Sequence, residues 1–260
     1  MMLDTEMVQR IECKCNLGSA AVLVGDQKLL FIFVDDDGAG PWTVELRQPV
    51  QIKIERSLRW LEDKAQAFGI RLRFQHVCIP FGLSVACHAG GCIDEADYCA
   101  GPGHLIWQNR VVTGLTSSGT VASRWDDLFR AGGLPLNGTE GSAVVFCVRR
   151  WVPSVAFAFF EGENVEFERE RAIIYDNGGE AGQLFLDSLI AHELLHLYGA
   201  VDLAPGKTPE PLKEFASQYS DDVMHTPTQR SIECYCIGDI TAYLVGWLKT
   251  KPACLAQTPI

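Results

Sequence analysis

A six-residue apolar run, Leu29 to Val34, stopped by Asp35-Asp36-Asp37-Gly38, constrains the fold of this chain more than any other segment. Apolar at every position, it reads as a strand buried in a sheet, with the acidic turn marking where it leaves. In Gln51 to Phe68, Ile54, Leu58, Leu61, Ala65 and Phe68 recur at three- and four-residue spacing. That is the stripe of an amphipathic helix, and Gly69 stands where a C-cap belongs. Arg71 to Ile79 then alternates Leu72, Phe74 and, less cleanly, Val77 until Pro80 ends it. Strand, helix, strand in that order predicts a right-handed crossover and a parallel pair.

From Phe81 to about Asn137 the pattern weakens into glycine, cysteine and small polar residues. We read this stretch as a long insertion or elaborated loop with one helix over Val121 to Arg130. Ala143 to Val148, Val155 to Phe160 and Arg171 to Tyr175 are three further strands by their apolar content. Gln183 to Tyr198 is a helix with no proline or glycine inside it. Pro205 to Asp222 is a connection with a short helix, and Ile237 to Leu248 closes the chain as an apolar-faced helix. One domain is expected over 1–260, its sheet and main helices in 1–199 and a small, mostly irregular subdomain in 200–260.

Composition narrows the partners. Lysine and arginine total 22 against 33 acidic residues, and the net charge of −11 would repel a phosphate backbone, which excludes nucleic acid. No apolar run approaches the roughly 20 residues that cross a bilayer, so no membrane span is expected. Met1 to Glu6 carries neither a basic nor an apolar leader segment, which predicts synthesis ending in the cytosol, with leaderless export left open. Ten cysteines pull the other way, since an even number suits disulfides in an oxidising compartment. A monomer is expected.

The chemistry concentrates in His192-Glu193-Leu194-Leu195-His196, inside the helix over Gln183 to Tyr198. Residues four apart share a helix face, so both imidazoles converge on one metal ion with Glu193 beside it. Gly199 follows three residues after His196, and Asp202 three further. A glycine there takes positive φ, ends the helix and turns the chain back, which lets Asp202 supply an oxygen ligand from another side. Alone, a helix cap and a solvated loop carboxylate explain these two positions; together, at this spacing after HExxH, they do not. Three protein ligands and a water are the open coordination of a catalytic zinc, whereas a structural zinc is closed by four.

On these residues the chain resembles the metzincin clan of zinc peptidases, with Asp202 where most members have histidine, as in the aspartate variants typified by snapalysin. Asp221-Asp222-Val223-Met224-His225 fits the clan's methionine turn, with Met224 as the apolar floor beneath the histidines. The resemblance implies an α+β fold with a mixed, mostly parallel five-stranded sheet, then the zinc helix, a small irregular subdomain and a last helix. It also implies one catalytic Zn2+ on His192, His196 and Asp202, with Glu193 as general base in peptide-bond hydrolysis. His225 should point away from the metal. Thr226, two residues after Met224, replaces the tyrosine ligand of the astacin branch, and the stretch over 81–137 is longer than a typical connection.

Substrate would lie extended along an edge strand, which the resemblance places at Val155 to Phe160; Val155, Ala156, Phe157, Ala158 and Phe159 are then substrate-binding, although the same residues suit an ordinary buried strand. Thr226 to Ile232 would wall the main specificity pocket. Two rivals remain: a non-catalytic zinc-containing module that binds peptide, which retention of Glu193 argues against, and a zinc hydrolase of a non-protein amide. Cys87, His88, Cys92, Cys99 and His104 crowd together but lack the C-x2-C knuckle of a structural zinc site, so disulfides or free thiols are expected there.

Overall fold

The computed structural model describes residues 22–79, 87, 89, 90, 93, 102–116, 125–138, 140–149, 154–157, 171–176, 185–208 and 212–256. Its framework is a five-stranded sheet: β1 (Gly25–Val34), β2 (Leu72–Ile79), β3 (Gly141–Val148), β4 (Val155–Phe157) and β5 (Arg171–Tyr175). The strand order is β2-β1-β3-β5-β4. β1 runs parallel to both β2 and β3, β3 parallel to β5, and β4 alone is antiparallel, setting Ala156 opposite Ala172 at one end of the sheet. The sheet is therefore mixed and mostly parallel within an α+β chain.

The unbroken apolar runs follow from burial on both faces. Leu29, Phe31, Phe33, Ala143, Val145, Cys147, Ala172 and Ile174 point to one layer. There α1 (Val44–Ala67) contributes Ile54, Leu58, Leu61 and Ala65. The intervening residues Leu30, Ile32, Val34, Val144, Phe146, Val148 and Ile173 point to the other. That second layer comes from α2 (Pro102–Thr116) and α3 (Trp125–Ala131), with Trp107 edge-on to Phe146 at 5.3 Å and the Trp125 indole donating to Ser142 Oγ at 2.8 Å. The stretch read from sequence as a loop with a single helix thus covers half the sheet. Its α2 eluded the pattern because Val111, Val112, Thr113 and Gly114 are weak helix formers, held helical by the buried Trp107, Val111 and Val112.

Two other helix limits differ from expectation. α1 starts at Val44 and runs through Pro49, before the expected Gln51, because Val50 is buried and Leu46 packs against the core, so tertiary burial outweighs the lost hydrogen bond. The closing helix stops early. After α4 (Leu186–Leu197), α5 (Lys213–Ala216) and short 3-10 turns, α6 (Asp239–Leu244) ends where Gly246 takes φ +88° and Trp247 N–H reaches back to the Ala242 carbonyl. The last short helix is α7 (Ala253–Ala256). Trp247 then anchors β1, its indole donating to the Leu23 carbonyl at 2.7 Å. Among the described residues no helix is long and apolar enough to cross a membrane.

The helix that carries HExxH is α4, and a buried charge docks it on α1. Asp187 is fully buried, with Arg56 Nη1 at 3.0 Å and Lys53 Nζ at 3.6 Å from its Oδ2. Ser57 Oγ donates to the Asp187 carbonyl at 2.7 Å. Arg56 also donates to Glu233 and Ser231, so one guanidinium ties α1, α4 and the C-terminal segment together. Removing Arg56 would leave the buried Asp187 carboxylate compensated only by the more distant Lys53. Arg56→Met should therefore destabilise the fold by about 1–3 kcal/mol in urea unfolding, and Asp187→Asn/Arg56→Met should recover part of that loss.

Candidate metal centre

On α4, His192 and His196 stand one turn apart, their rings nearly perpendicular at 86° and 4.5 Å between centroids. Each Nδ1 faces a backbone carbonyl: His192 that of Val223 at 3.1 Å, His196 that of Ala200 at 2.8 Å. A carbonyl only accepts, so both Nδ1 atoms carry the proton and, in neutral rings, both Nε2 atoms present lone pairs. Those Nε2 atoms are 3.0 Å apart, and Asp202 Oδ1 lies 3.3 and 3.6 Å from them. Three acceptor atoms thus converge with no donor between them. Ligand atoms roughly 2.0–2.1 Å from a tetrahedral zinc lie about 3.3 Å apart, the size of this triangle. His192, His196 and Asp202 could hold a metal ion, and they are the one such group among the described residues.

The charge pattern agrees. Burial opposes ionisation of Asp202, yet hydrogen bonds and charge from the two imidazoles in their protonated form outweigh that and hold its carboxyl far below the usual range. Burial likewise disfavours a charged His196, but its bond to Asp202 and the charges of Glu193 and Asp202 raise its pKa overall. A proton and a metal cation therefore compete for the same lone pairs.

Local backbone chemistry builds the triangle. α4 ends in a Schellman turn: Gly199 N–H donates to the His196 carbonyl at 3.0 Å and Ala200 N–H to that of Leu195 at 3.1 Å, with Gly199 at φ +93°. The same reversal delivers the Ala200 carbonyl to His196 and swings Asp202 back toward the helix. On the far side, Asp222 is fully buried and its carboxylate accepts Met224 N–H at 2.8 Å, Gly238 N–H at 2.7 Å and Thr241 Oγ1–H at 2.8 Å. This locks the turn whose consecutive carbonyls do two jobs: Val223 holds His192, and Met224 accepts Leu203 N–H at 2.9 Å beside Asp202. Met224 itself is fully buried in the core cluster.

His192, Glu193 and Asp202 line a cleft of about 480 Å³ with Ser154, Tyr175, Leu189, Lys207 and His225 to Gln229 among its walls. Burial raises the pKa of the Glu193 carboxyl, partly offset by the two histidines. Such a group takes and returns a proton more readily than an exposed glutamate.

The residues singled out in the sequence fall as follows. His192, His196 and Asp202 are brought together, with Glu193 in the same cleft. Thr226 to Gln229 form a wall of it, Ile232 is buried, and His225 lines the cleft without joining the ligand group. Val155, Ala156 and Phe157 form the end strand of the sheet but are not cleft-lining; Ser154, just before them, is. Ala158 and Phe159 lie outside the described residues, as do His88, Cys92 and Cys99. Cys87 is buried, its backbone carbonyl bonded to Asp35 N–H. Cys78, Cys87, Cys147, Cys234 and Cys236 are free thiols. Sequence reasoning missed Lys207 and the locking role of Asp222; a carboxylate aimed at backbone amides leaves no signature of its own beyond standing in the turn.

No protein-family model matches the chain, and no curated protein sequence matches it.

Two outcomes are expected from zinc titration against a chromophoric chelator. Asp222→Ala should weaken affinity roughly 10- to 100-fold although Asp222 is no ligand, because the Val223 carbonyl loses its fixed position. Affinity should also fall as pH drops, with the loss setting in above the ordinary imidazole range because His196 takes up its proton at higher pH than a free histidine.

Proposed function

We propose that this chain is a zinc-dependent endopeptidase of metzincin type, cutting peptide bonds with Glu193 as general base. The observation that carries the reading is the three-acceptor triangle with a buried carboxylate beside it in one open cleft. Among the described residues no fourth ligand closes the group, and three ligands are the arrangement of catalytic rather than structural zinc. Two imidazoles and a carboxylate at this spacing could hold a divalent metal ion, and the HExxH pairing of the imidazoles on one helix supports zinc as that ion. When bound, zinc polarises the scissile carbonyl and acidifies water toward a pKa of about 7.

The chain's own residues supply the rest. Glu193 accepts a proton from the attacking water and passes it to the departing amine nitrogen, a task its raised pKa favours. The Val223 and Ala200 carbonyls keep the imidazoles in one tautomer and one orientation. An extended peptide suits the sheet's β4 end, which pairs only with β5 among the described residues. At the opposite end, Phe74 N–H of β2 is already taken by Glu62 at 2.7 Å, which blunts that edge. Proteins and peptides are thus the substrate class.

Glu193→Ala should retain one zinc per chain by metal analysis while peptide turnover, followed by mass spectrometry on a mixed library, falls at least roughly 100-fold. Chelation should abolish cleavage and zinc should restore it. His192→Ala and Asp202→Ala should each lose bound zinc, the aspartate variant less. Undiminished turnover in Glu193→Ala would remove that residue from the mechanism.

A further inference from the structure

Among the described residues, the carboxylates and amines lining the cleft are the metal-facing Asp202, the base Glu193 and one cation, Lys207. Lys207 is five residues past Asp202 on a turn built for rigidity. Ala204-Pro205-Gly206-Lys207 is a type II turn, with proline second, Gly206 third at φ +81° and Lys207 N–H donating to the Ala204 carbonyl at 3.1 Å. Thr208, buried, adds its N–H at 3.0 Å and its hydroxyl at 2.7 Å to the same carbonyl. Upstream, the Leu203–Met224 hydrogen bond ties the segment to the turn that holds His192. The lysine's backbone is therefore fixed relative to the ligands, while its exposed side chain reaches into the cleft. No ion pair among the described residues satisfies it, and its charge is felt at Glu193.

Electrostatic balance gives this placement a consequence. Among the described lining residues two carboxylates offset a divalent ion, so Lys207 adds a positive charge beyond that balance in a chain whose overall charge is −11. The net negative charge of the chain repels anions on average, so a local cation in a cleft with low-dielectric walls stands out as a place where a carboxylate is attracted. The cleft lining adds Thr226, Thr228 and Gln229, side chains able to donate hydrogen bonds to an oxyanion. We propose that Lys207 is a specificity-determining residue that pairs with a substrate carboxylate, so that the preferred substrates are peptides with an acidic side chain or a free C-terminal carboxylate close to the scissile bond. This rests on the peptidase reading above. The two carboxylate sources share one chemistry and are separable by experiment.

The test uses zinc-loaded full chain and capped octapeptides in which one glutamate, or its uncharged counterpart glutamine, is stepped through each position, each made with a free and an amidated C terminus. The quantity read is the glutamate-to-glutamine ratio of kcat/KM by mass spectrometry, and separately the acid-to-amide ratio. Wild type should favour the carboxylate roughly 3- to 10-fold at one position or at the C terminus, and the preference should shrink with added salt. Lys207→Met should bring that ratio close to one, Lys207→Arg should keep it, and Lys207→Glu should invert it. A wild-type ratio near one at every position, or a ratio unchanged in Lys207→Met, overturns the assignment; loss of the ratio in His225→Gln instead transfers it to that residue. If no peptide is cut while zinc is bound, the peptidase reading falls. The carboxylate is then judged by titration calorimetry with the same peptides, where equal affinity for both members of each pair overturns it.

Discussion

The buried carboxylate of Asp222 is the constraint on which the site depends. Desolvation alone pushes its pKa up, so the side chain is tolerable inside only because Met224, Gly238 and Thr241 each give it a hydrogen bond. Those three donors belong to separate parts of the C-terminal segment, and joining them fixes the turn from which the Val223 and Met224 carbonyls project. One carbonyl orients His192 and the other steadies the strand of chain beside Asp202. Gly238 must be glycine for this to work: a Cβ there would come within 2.6 Å of Tyr219 and 3.1 Å of the Asp222 carboxylate.

The sheet supplies the rigid side of the same arrangement. With both faces buried, β3 and β5 cannot shift without disturbing two core clusters, so α4 is held in place against one layer. The Asp187–Arg56 pair then sets α4 against α1, and Arg56 continues to Glu233 near the end of the cleft wall. Tyr175, at the C-terminal end of β5, and Ser154, whose Oγ accepts Tyr175 N–H at 3.1 Å, bring the sheet's end to the cleft. His192, Glu193 and His196 therefore rest on a helix fixed by packing, while Asp202 and Lys207 sit on a connection tied back by backbone hydrogen bonds.

Much of this was legible in the residues. The apolar run of β1, the heptad-like stripe of α1 and the clean helix around HExxH each carry their own period, and local period is what a sequence displays. α2 was not legible, because Val111, Val112 and Gly114 favour other conformations and only the sheet face above them makes the helix worthwhile. The start of α1 at Val44 was hidden by Pro49, and the end of α6 by apolar residues past Gly246 that pack without continuing the helix. Each miss is a place where burial overrode a local preference.

For the site, the sequence by itself determined the candidate ligand types and their order: two histidines one helical turn apart, a glycine able to take positive φ, and an aspartate three residues later. Those follow from helix geometry and from the freedom of glycine, both short-range properties. The tertiary structure decided what spacing cannot express. It set Asp202 Oδ1 against both Nε2 atoms, chose the backbone carbonyls that fix each tautomer, and placed Lys207 and Thr226 to Gln229 in one cleft. The reason is physical: carbonyls carry no side-chain identity, and two partners of Asp222, Gly238 and Thr241, are remote in sequence, so only the folded chain brings them within hydrogen-bonding range.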